Sequence, residues 1–439
     1  MENESVNLLQ LIEQHQAANQ DMVTISRNAI GINFKLVTLT LILGLTTLTS
    51  TAATNDWPQW RGPNRDGTVT SFDEPPSWPK SLTEQWKIDV GLGYSTPLLI
   101  ENRVYTFTRQ GENEVMKALN AGSGEVVWDT SYACPLNMNP ATARHGAGPK
   151  STPAFANGRL FTLGMSGIVS AFDARTGRLL WQNPAPETEP LFHTAMSPLV
   201  VGDIVIVHIG GHNEGALTAF DVVTGEIQWD WTGDGPAYGS PVVFELEGIR
   251  QVVTFTQKHL VGVSVTTGEL LWQRPYITQS TTTSQTPLLH DHTVIETGRG
   301  NGVTAFRVFQ QGKKWITEDV WHTNEVSLHM SNGVAIDGVL FGLSHLNRGQ
   351  YFALDLNTGR ALWLGEPRQA ENAAIVRAGK TIFSLEDDAE LVIIRSSRTG
   401  FEPLERYKVA TSETWAQPAI SGNRVFIKDI SSLTLWTLD

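Results

Sequence analysis

One pattern limits what this chain can fold into. A small residue, an apolar residue, often Asp, a Gly and then a Trp four places later recur as ALNAGSGEVVW (118–128), AFDARTGRLLW (171–181), AFDVVTGEIQW (219–229), GVSVTTGELLW (262–272) and ALDLNTGRALW (353–363). AFRVFQQGKKW (305–315) is a looser copy with its Gly one place late. IIRSSRTGFEPL (393–404) is a degenerate one, with Leu404 where the others have Trp. Counting from Trp86, the anchors fall every 41 to 53 residues. A second marker, a small polar pair before Pro, runs in phase: Ser95-Thr96-Pro97, Ser151-Thr152-Pro153, Met196-Ser197-Pro198, Gly239-Ser240-Pro241, Gln285-Thr286-Pro287 and Ala416-Gln417-Pro418. Ser331-Asn332-Gly333 and Glu371-Asn372-Ala373 hold the same place without Pro, which makes eight units.

Each unit reads as four short strands separated by Gly, Asn and Asp turns. A four-stranded sheet of this kind has two open edges and a large apolar face, so it cannot stand alone. Units of 40–50 residues solve that problem by packing in a ring. The fold class expected is therefore all-β: an eight-bladed β-propeller of four-stranded blades. The ends support closure. LTLWTLD (433–439) is a third strand without its Trp strand, and Trp86 in LTEQWKI belongs to a Trp strand without its blade. Together they complete the last blade, hiding both edges.

The A-[FL]-D-x-x-T-G-x-x-x-W unit resembles the tryptophan-docking motif of the PQQ-like propeller repeats over residues 82–439. That superfamily contains quinoprotein alcohol dehydrogenases and the BamB-type propellers. Asp56 to Gly67 (DWPQWRGPNRDG) is similar to a lead-in of exported members. The resemblance implies that Trp86, Trp128, Trp181, Trp229, Trp272, Trp315 and Trp363 are structural, each stacking between its blade and a neighbour. In the catalytic members PQQ lies beside a disulfide of two adjacent Cys over a Trp floor, with calcium held by Glu, Asn and Asp. This chain has one cysteine, Cys134, and no C-x-x-C-H haem site, and the calcium ligands are not placed on its residues. PQQ and calcium are accordingly possible but disfavoured, and no metal site is assigned.

Composition narrows the partners. The formal charge of −13, with no basic run, excludes a phosphate backbone as ligand and disfavours an anionic membrane surface. One Cys permits neither an internal disulfide nor a thiolate metal cluster. Residues 1–53 read as an N-terminal extension plus secretory signal: Arg27 and Lys35, the apolar run 36–48 (LVTLTLILGLTTL), then Thr51-Ala52-Ala53. The run is too short for a membrane span, and Met22 makes a more natural start than Met1. Residues 54–81 form a lead-in rich in Trp, Pro and Gly that is expected to clamp onto the propeller, with Arg61 against an aromatic face and 68–81 as an extended linker. Residues 82–439 are the single propeller. The chain is expected to be exported, to the periplasm or cell exterior, with no membrane span left after cleavage.

A binding site is expected where two loop sets meet at one mouth of the channel. The loops entering each blade carry Tyr94, His145, Lys150, His193, Tyr238, His329, Asn332, Glu371 and Trp415; the loops between second and third strands add Arg109, His259, Arg299 and Arg348 among others. Imidazole, aromatic and charged groups in a ring suit a small polar ligand or a partner protein. No acid pair or oriented base forms a catalytic motif, so the reading is a non-enzymatic exported propeller binding a partner protein or small polar ligand. The competing reading is a PQQ/calcium quinoprotein-type dehydrogenase or another periplasmic enzyme.

Overall fold

The computed structural model describes residues 56–439 apart from 73 and 280–282. The expected N-terminal extension and signal (1–53) lie outside the described residues. The described chain is a ring of eight four-stranded antiparallel blades: blade 1 (98–133), blade 2 (154–183), blade 3 (199–233), blade 4 (242–275), blade 5 (288–323), blade 6 (334–364), blade 7 (373–408) and blade 8 (419–437 with Thr83–Asp89). The circle closes as the repeat demands. Thr83–Asp89 is the outer strand of blade 8 and pairs antiparallel with Ser432–Thr437, Trp86 opposite Leu435.

The motif explains itself in the turn between third and fourth strands. Asp173 Oδ1 accepts from the backbone N–H (2.8 Å) and hydroxyl (2.7 Å) of Thr176. Gly177 N–H closes the turn on the Asp173 carbonyl at 2.8 Å. Asp221 and Asp355 repeat the arrangement, and these hydrogen bonds hold the Asp173 carboxyl below its usual range. The Gly has φ +75, and a Cβ there would lie 2.5 Å from the Trp128 ring of the preceding blade. Glycine is therefore required twice over, for the left-handed backbone and for the indole that rests on it.

The indoles then tie blade to blade. Trp86, Trp128, Trp181, Trp229 and Trp363 each donate Nε1–H to a backbone carbonyl of the next blade: Ala121, Ala174, Val222, Val265 and Ser397, at 2.8–3.2 Å. Two tryptophans do otherwise. In blade 5 the hairpin is extended (Val303–Gln311 and Lys314–Thr323). Trp321, not Trp315, stands opposite Ala305 and donates to Leu356 O at 3.0 Å. Trp315 sits near the hairpin tip, packed on the apolar cluster between blades 4 and 5. In blade 4 the Ala of the motif is Gly262, and the Trp272 indole folds down over it: a Cβ would meet Nε1 at 2.2 Å. Trp272 Nε1 instead donates to Gln251 Oε1 of its own blade at 2.6 Å. Blade 7 has no indole here. Glu405 stands opposite Ile393 with Leu404 in the bulge, and Trp436 of blade 8 donates to Val409 O.

A second belt runs around the axis through the small polar markers. Thr96 N donates to Thr152 Oγ1, Thr152 N to Ser197 Oγ, Ser197 N to Ser240 Oγ, Thr286 N to Asn332 Oδ1 and Ala373 N to Ser331 Oγ. Gln417 N donates to Thr96 Oγ1 at 3.2 Å, which joins blade 8 to blade 1. The hydroxyl and amide side chains at these positions thus satisfy main-chain donors at the head of each inner strand that would otherwise be buried without partners.

The lead-in crosses the channel. Trp57 pairs with Leu99 of blade 1, and Pro58 O accepts from Phe155 N of blade 2. Arg65 donates to Ser197 O and Pro198 O of blade 3, Trp60 Nε1 to Thr286 Oγ1 of blade 5, and Arg61 to Gly333 O of blade 6. Thr68–Val69 adds a parallel strand to blade 7, and Ser71 O accepts from Gly422 N of blade 8. Arg61 is fully buried and donates to carbonyls, rather than lying on an aromatic face as expected. Residues 68–81 are likewise more than a linker, since Phe72 and Trp78 pack edge-on against Phe383.

Candidate functional site

The inner strands begin just after the marker residues, so the loops preceding them converge at one end of the channel. There they enclose a cavity of about 430 Å³. Seven of the nine expected residues line it: Tyr94, His145, Lys150, Tyr238, His329, Asn332 and Trp415. Among these Asn332 also belongs to the hydroxyl belt, its Oδ1 accepting from Thr286 N at 2.8 Å. Two expected residues are placed elsewhere. His193 is buried behind the wall, its Nδ1 3.2 Å from Glu189. Glu371 is exposed and lines an adjoining recess with Arg144, Arg348 and His345.

The walls are mostly rings. His145 meets Trp415 edge-on at 4.9 Å between centroids, and Tyr94 approaches Trp415 at 6.4 Å. Trp415 is oriented by Nε1–H donation to Glu413 (3.1 Å), which pairs in turn with Arg144. Across the cavity Phe192 packs on Tyr238, whose hydroxyl accepts from Phe192 N at 3.1 Å. Trp60 of the lead-in completes the lining. Sequence reasoning assigned the lead-in only a clamping part and missed this contribution; its hydrogen bond to a marker residue, Thr286, has no local signal. Phe192 and Met330 were missed as well, being apolar neighbours of the histidines that drew attention.

The charge in the cavity is of one sign. Lys150 and Arg299 line it, and no carboxylate does among the described residues. Burial lowers Lys150 to about 8, with Gly146 O its nearest acceptor at 3.4 Å. Burial also lowers His329 to about 4, helped by Arg299 and His345, and it lowers His145, helped by Lys150 and Arg144. Both imidazoles are therefore neutral at pH 7. Desolvation raises the Tyr94 and Tyr238 hydroxyls to about 12. The site can thus offer ring faces, neutral imidazole and two cations.

The donor set also bears on the cofactor of the dehydrogenases. Calcium needs six to eight oxygen ligands, chiefly carboxylates. Asn332 alone among the lining side chains is of the Asp, Glu or Asn type, and it already accepts a backbone hydrogen bond. Cys134 is buried 3.4 Å from Ser166 Oγ and does not line the cavity. A flat quinone would find rings here, whereas the described lining offers calcium a single amide oxygen, the Glu371 carboxylate lying in the adjoining recess. The Glu386, Asp388 and Glu390 carboxylates do cluster, but Arg406 already bridges Glu386 and Glu390.

Residues 111–365 match the family model described as outer membrane protein assembly factor BamB. The chain is similar to the outer membrane protein assembly factor BamB of Yersinia pestis, 24% identical over 291 residues, covering 64% of this chain and 70% of that one. It is also similar to the dehydrogenase subunit of a quinone alcohol dehydrogenase from Komagataeibacter europaeus, 31% identical over 165 residues. That match takes in 34% of this chain and only 21% of the other, so the chain spans about a fifth of that relative's length. Among solved structures, the quinohemoprotein alcohol dehydrogenase of Comamonas testosteroni aligns with a TM-score of 0.64 at 14% identity, covering 88% of this chain and 80% of that one. BamB of Moraxella catarrhalis aligns at 0.58 and 16%, covering 81% and 97%. These structures show the shared fold. With the family model matching more than half its length, the chain belongs to the PQQ-type propeller repeat family described as outer membrane protein assembly factor BamB.

Proposed function

We propose that this chain is an exported, non-enzymatic propeller whose mouth holds a small ligand bearing a flat ring and a negative charge. One observation carries the reading: a cavity of about 430 Å³ walled by Trp60, Tyr94, Trp415 and Tyr238 contains Lys150 and Arg299 and, among the described residues, no carboxylate. Aromatic walls favour a planar apolar body, and a partly desolvated cation favours an anion more strongly than it would in water. Burial of the ligand in a site of this size is typical of small-molecule pockets. Export rests on the charged, apolar and small-residue order of 27–53; no helix among the described residues is long and apolar enough to cross a membrane.

A partner protein at the same face is the second reading. Leu92, Leu191, Ile277 and Met330 are large, apolar, 41–63% exposed and carried by loops around this mouth. A partner that covered them would cap the ligand.

The experiment is a calorimetric titration with 1-naphthoate and with 1-naphthalenemethanol, which has the same rings but no charge. Naphthoate is expected to bind at least tenfold more tightly than the alcohol. Lys150→Met with Arg299→Met is expected to remove that advantage and leave alcohol binding unchanged. Equal binding of the two compounds contradicts the reading. So does calcium-dependent oxidation of alcohols to aldehydes, with a dye as acceptor, after incubation with PQQ.

A further inference from the structure

The channel holds a second cavity, of about 490 Å³, bounded by the lead-in, by the inner strands of blades 3, 4 and 5, and by Ala335 of blade 6 and Arg377 of blade 7. It differs from the mouth in what lines it. The mouth is built from side chains of loops, whereas here the walls are inner strands: all of Leu199–Val201, the first three residues of Val242–Leu246 and the first two of Leu288–His290. Each is the terminal strand of its sheet, so one edge of its backbone has no strand partner. Among the described residues no backbone hydrogen bond reaches those three edges.

The same molecule shows what such edges accept. On the other side of the channel the lead-in pairs with the equivalent edges by main-chain hydrogen bonds. Trp57 exchanges two with Leu99 (2.7 and 3.1 Å), Phe155 N donates to Pro58 O (2.8 Å), and Arg377 N donates to Gly67 O (2.8 Å) within a parallel strand register. The lead-in thus bonds to the edges of blades 1, 2 and 7, and among the described residues the inner edges of blades 3, 4, 5 and 6 at this cavity carry no main-chain partner. Unpaired strand edges are templates for an added strand.

Charge sets the kind of strand. Arg65, Arg250 and Arg377 line the cavity; Arg65 and Arg377 already donate to Pro198 O and Thr68 Oγ1, while Arg250, opposite Glu245 in its hairpin, makes no ion pair among the described residues. Asp66 is the one carboxylate of the lining, and its Oδ1 already accepts from Thr68 N at 2.9 Å. The apolar part of the wall is Val243, Phe244, Leu288 and their neighbours. We infer that this cavity is a docking groove for an extended peptide strand with alternating apolar side chains and an acidic residue, added to the free edge of Val242–Leu246. Five residues at about 3.3 Å each span that strand. This inference is independent of the ligand proposed for the mouth.

The test uses the full chain and an acetylated, amidated five-residue peptide of valine and threonine with a central glutamate, followed by fluorescence anisotropy of an N-terminal dye. Saturable binding is expected, weakened about tenfold when glutamine replaces the glutamate. N-methylation of alternate peptide nitrogens, which removes strand donors while keeping the side chains, is expected to abolish it. Arg250→Gln, which changes an exposed side chain and keeps the backbone of its strand, should weaken the glutamate peptide and leave the glutamine peptide unchanged. No saturation at millimolar peptide, or equal binding of the N-methylated form, overturns the inference. A photo-crosslinker at position 243 that captures residues 1–55 of the same chain also overturns it, because the groove would then be filled from within. None of these results depends on whether naphthoate binds the mouth.

Discussion

Lys150 shows how burial at one residue becomes a functional property. Its ammonium is lowered to about 8 because the cavity replaces water that a carbonyl at 3.4 Å replaces poorly. Naphthoate remains charged throughout the range in which Lys150 titrates, so its affinity is expected to stay flat from pH 6 to about 7.5. It should then fall as the pH passes about 8, and the fall should vanish in Lys150→Met; calorimetry at fixed ionic strength reads both. The free protein responds with the opposite sign. Between the folded value of about 8 and the unfolded value of 10.5 the unfolded chain holds more protons, so the Lys150 contribution to stability rises with pH. Buried Lys428, lowered to about 7, acts in the same direction from a lower pH. Neither shift was legible in the sequence, where a Lys before a Ser-Thr-Pro marker looks like any surface cation. Placing Lys150 at the mouth needed only the loop topology; its desolvation comes from burial in a cavity whose lining is gathered from loops of several blades and the lead-in.

At the scale of elements, the repeat was legible wherever the motif was intact and misleading where it was not. The turn chemistry of Asp, Thr and Gly is local, so five indoles could be placed from spacing alone. AFRVFQQGKKW also matched the spacing, yet its strands run on past the motif to a longer hairpin. The register then delivers Trp321 rather than Trp315 to the blade interface. The neighbouring exception has a sequence trace that could have been read. Gly262 replaces the Ala found in the equivalent place of blades 1, 2, 3, 5 and 6, and the space so made admits Trp272 onto its own blade. Trp321→Ala is expected to cost about 3 kcal/mol, the low end for truncating an aromatic side chain, because the indole is half-buried. Trp315→Ala, near a hairpin tip, should cost about 1 kcal/mol or less. Urea unfolding of both variants decides between them, and equal losses would restore the spacing-based assignment.

The whole molecule is a ring closed three times over. Thr83–Asp89 completes blade 8, Gln417 donates to Thr96 across the seam, and the lead-in ties blades on both sides of the channel. Closure was legible because a Trp strand without a blade and a blade without a Trp strand stand at opposite ends of the propeller sequence. The path of the lead-in was not. Arg61 and Arg65 look like exposed cations in a Pro- and Gly-rich stretch, and their burial is possible only because backbone carbonyls of blades 3 and 6 meet them. Desolvation lowers them to about 10 and about 9, so both still carry their charge at pH 7. By crossing the channel, the lead-in separates a loop-lined mouth from a strand-lined groove and contributes Trp60 to the former. A crystal structure of the full chain with 1-naphthoate tests this account most directly. It predicts the ring system among Trp60, Tyr94 and Trp415, with the carboxylate in hydrogen-bond reach of Lys150 or Arg299. Naphthoate bound outside the mouth, or with its carboxylate turned away from both cations, would contradict it.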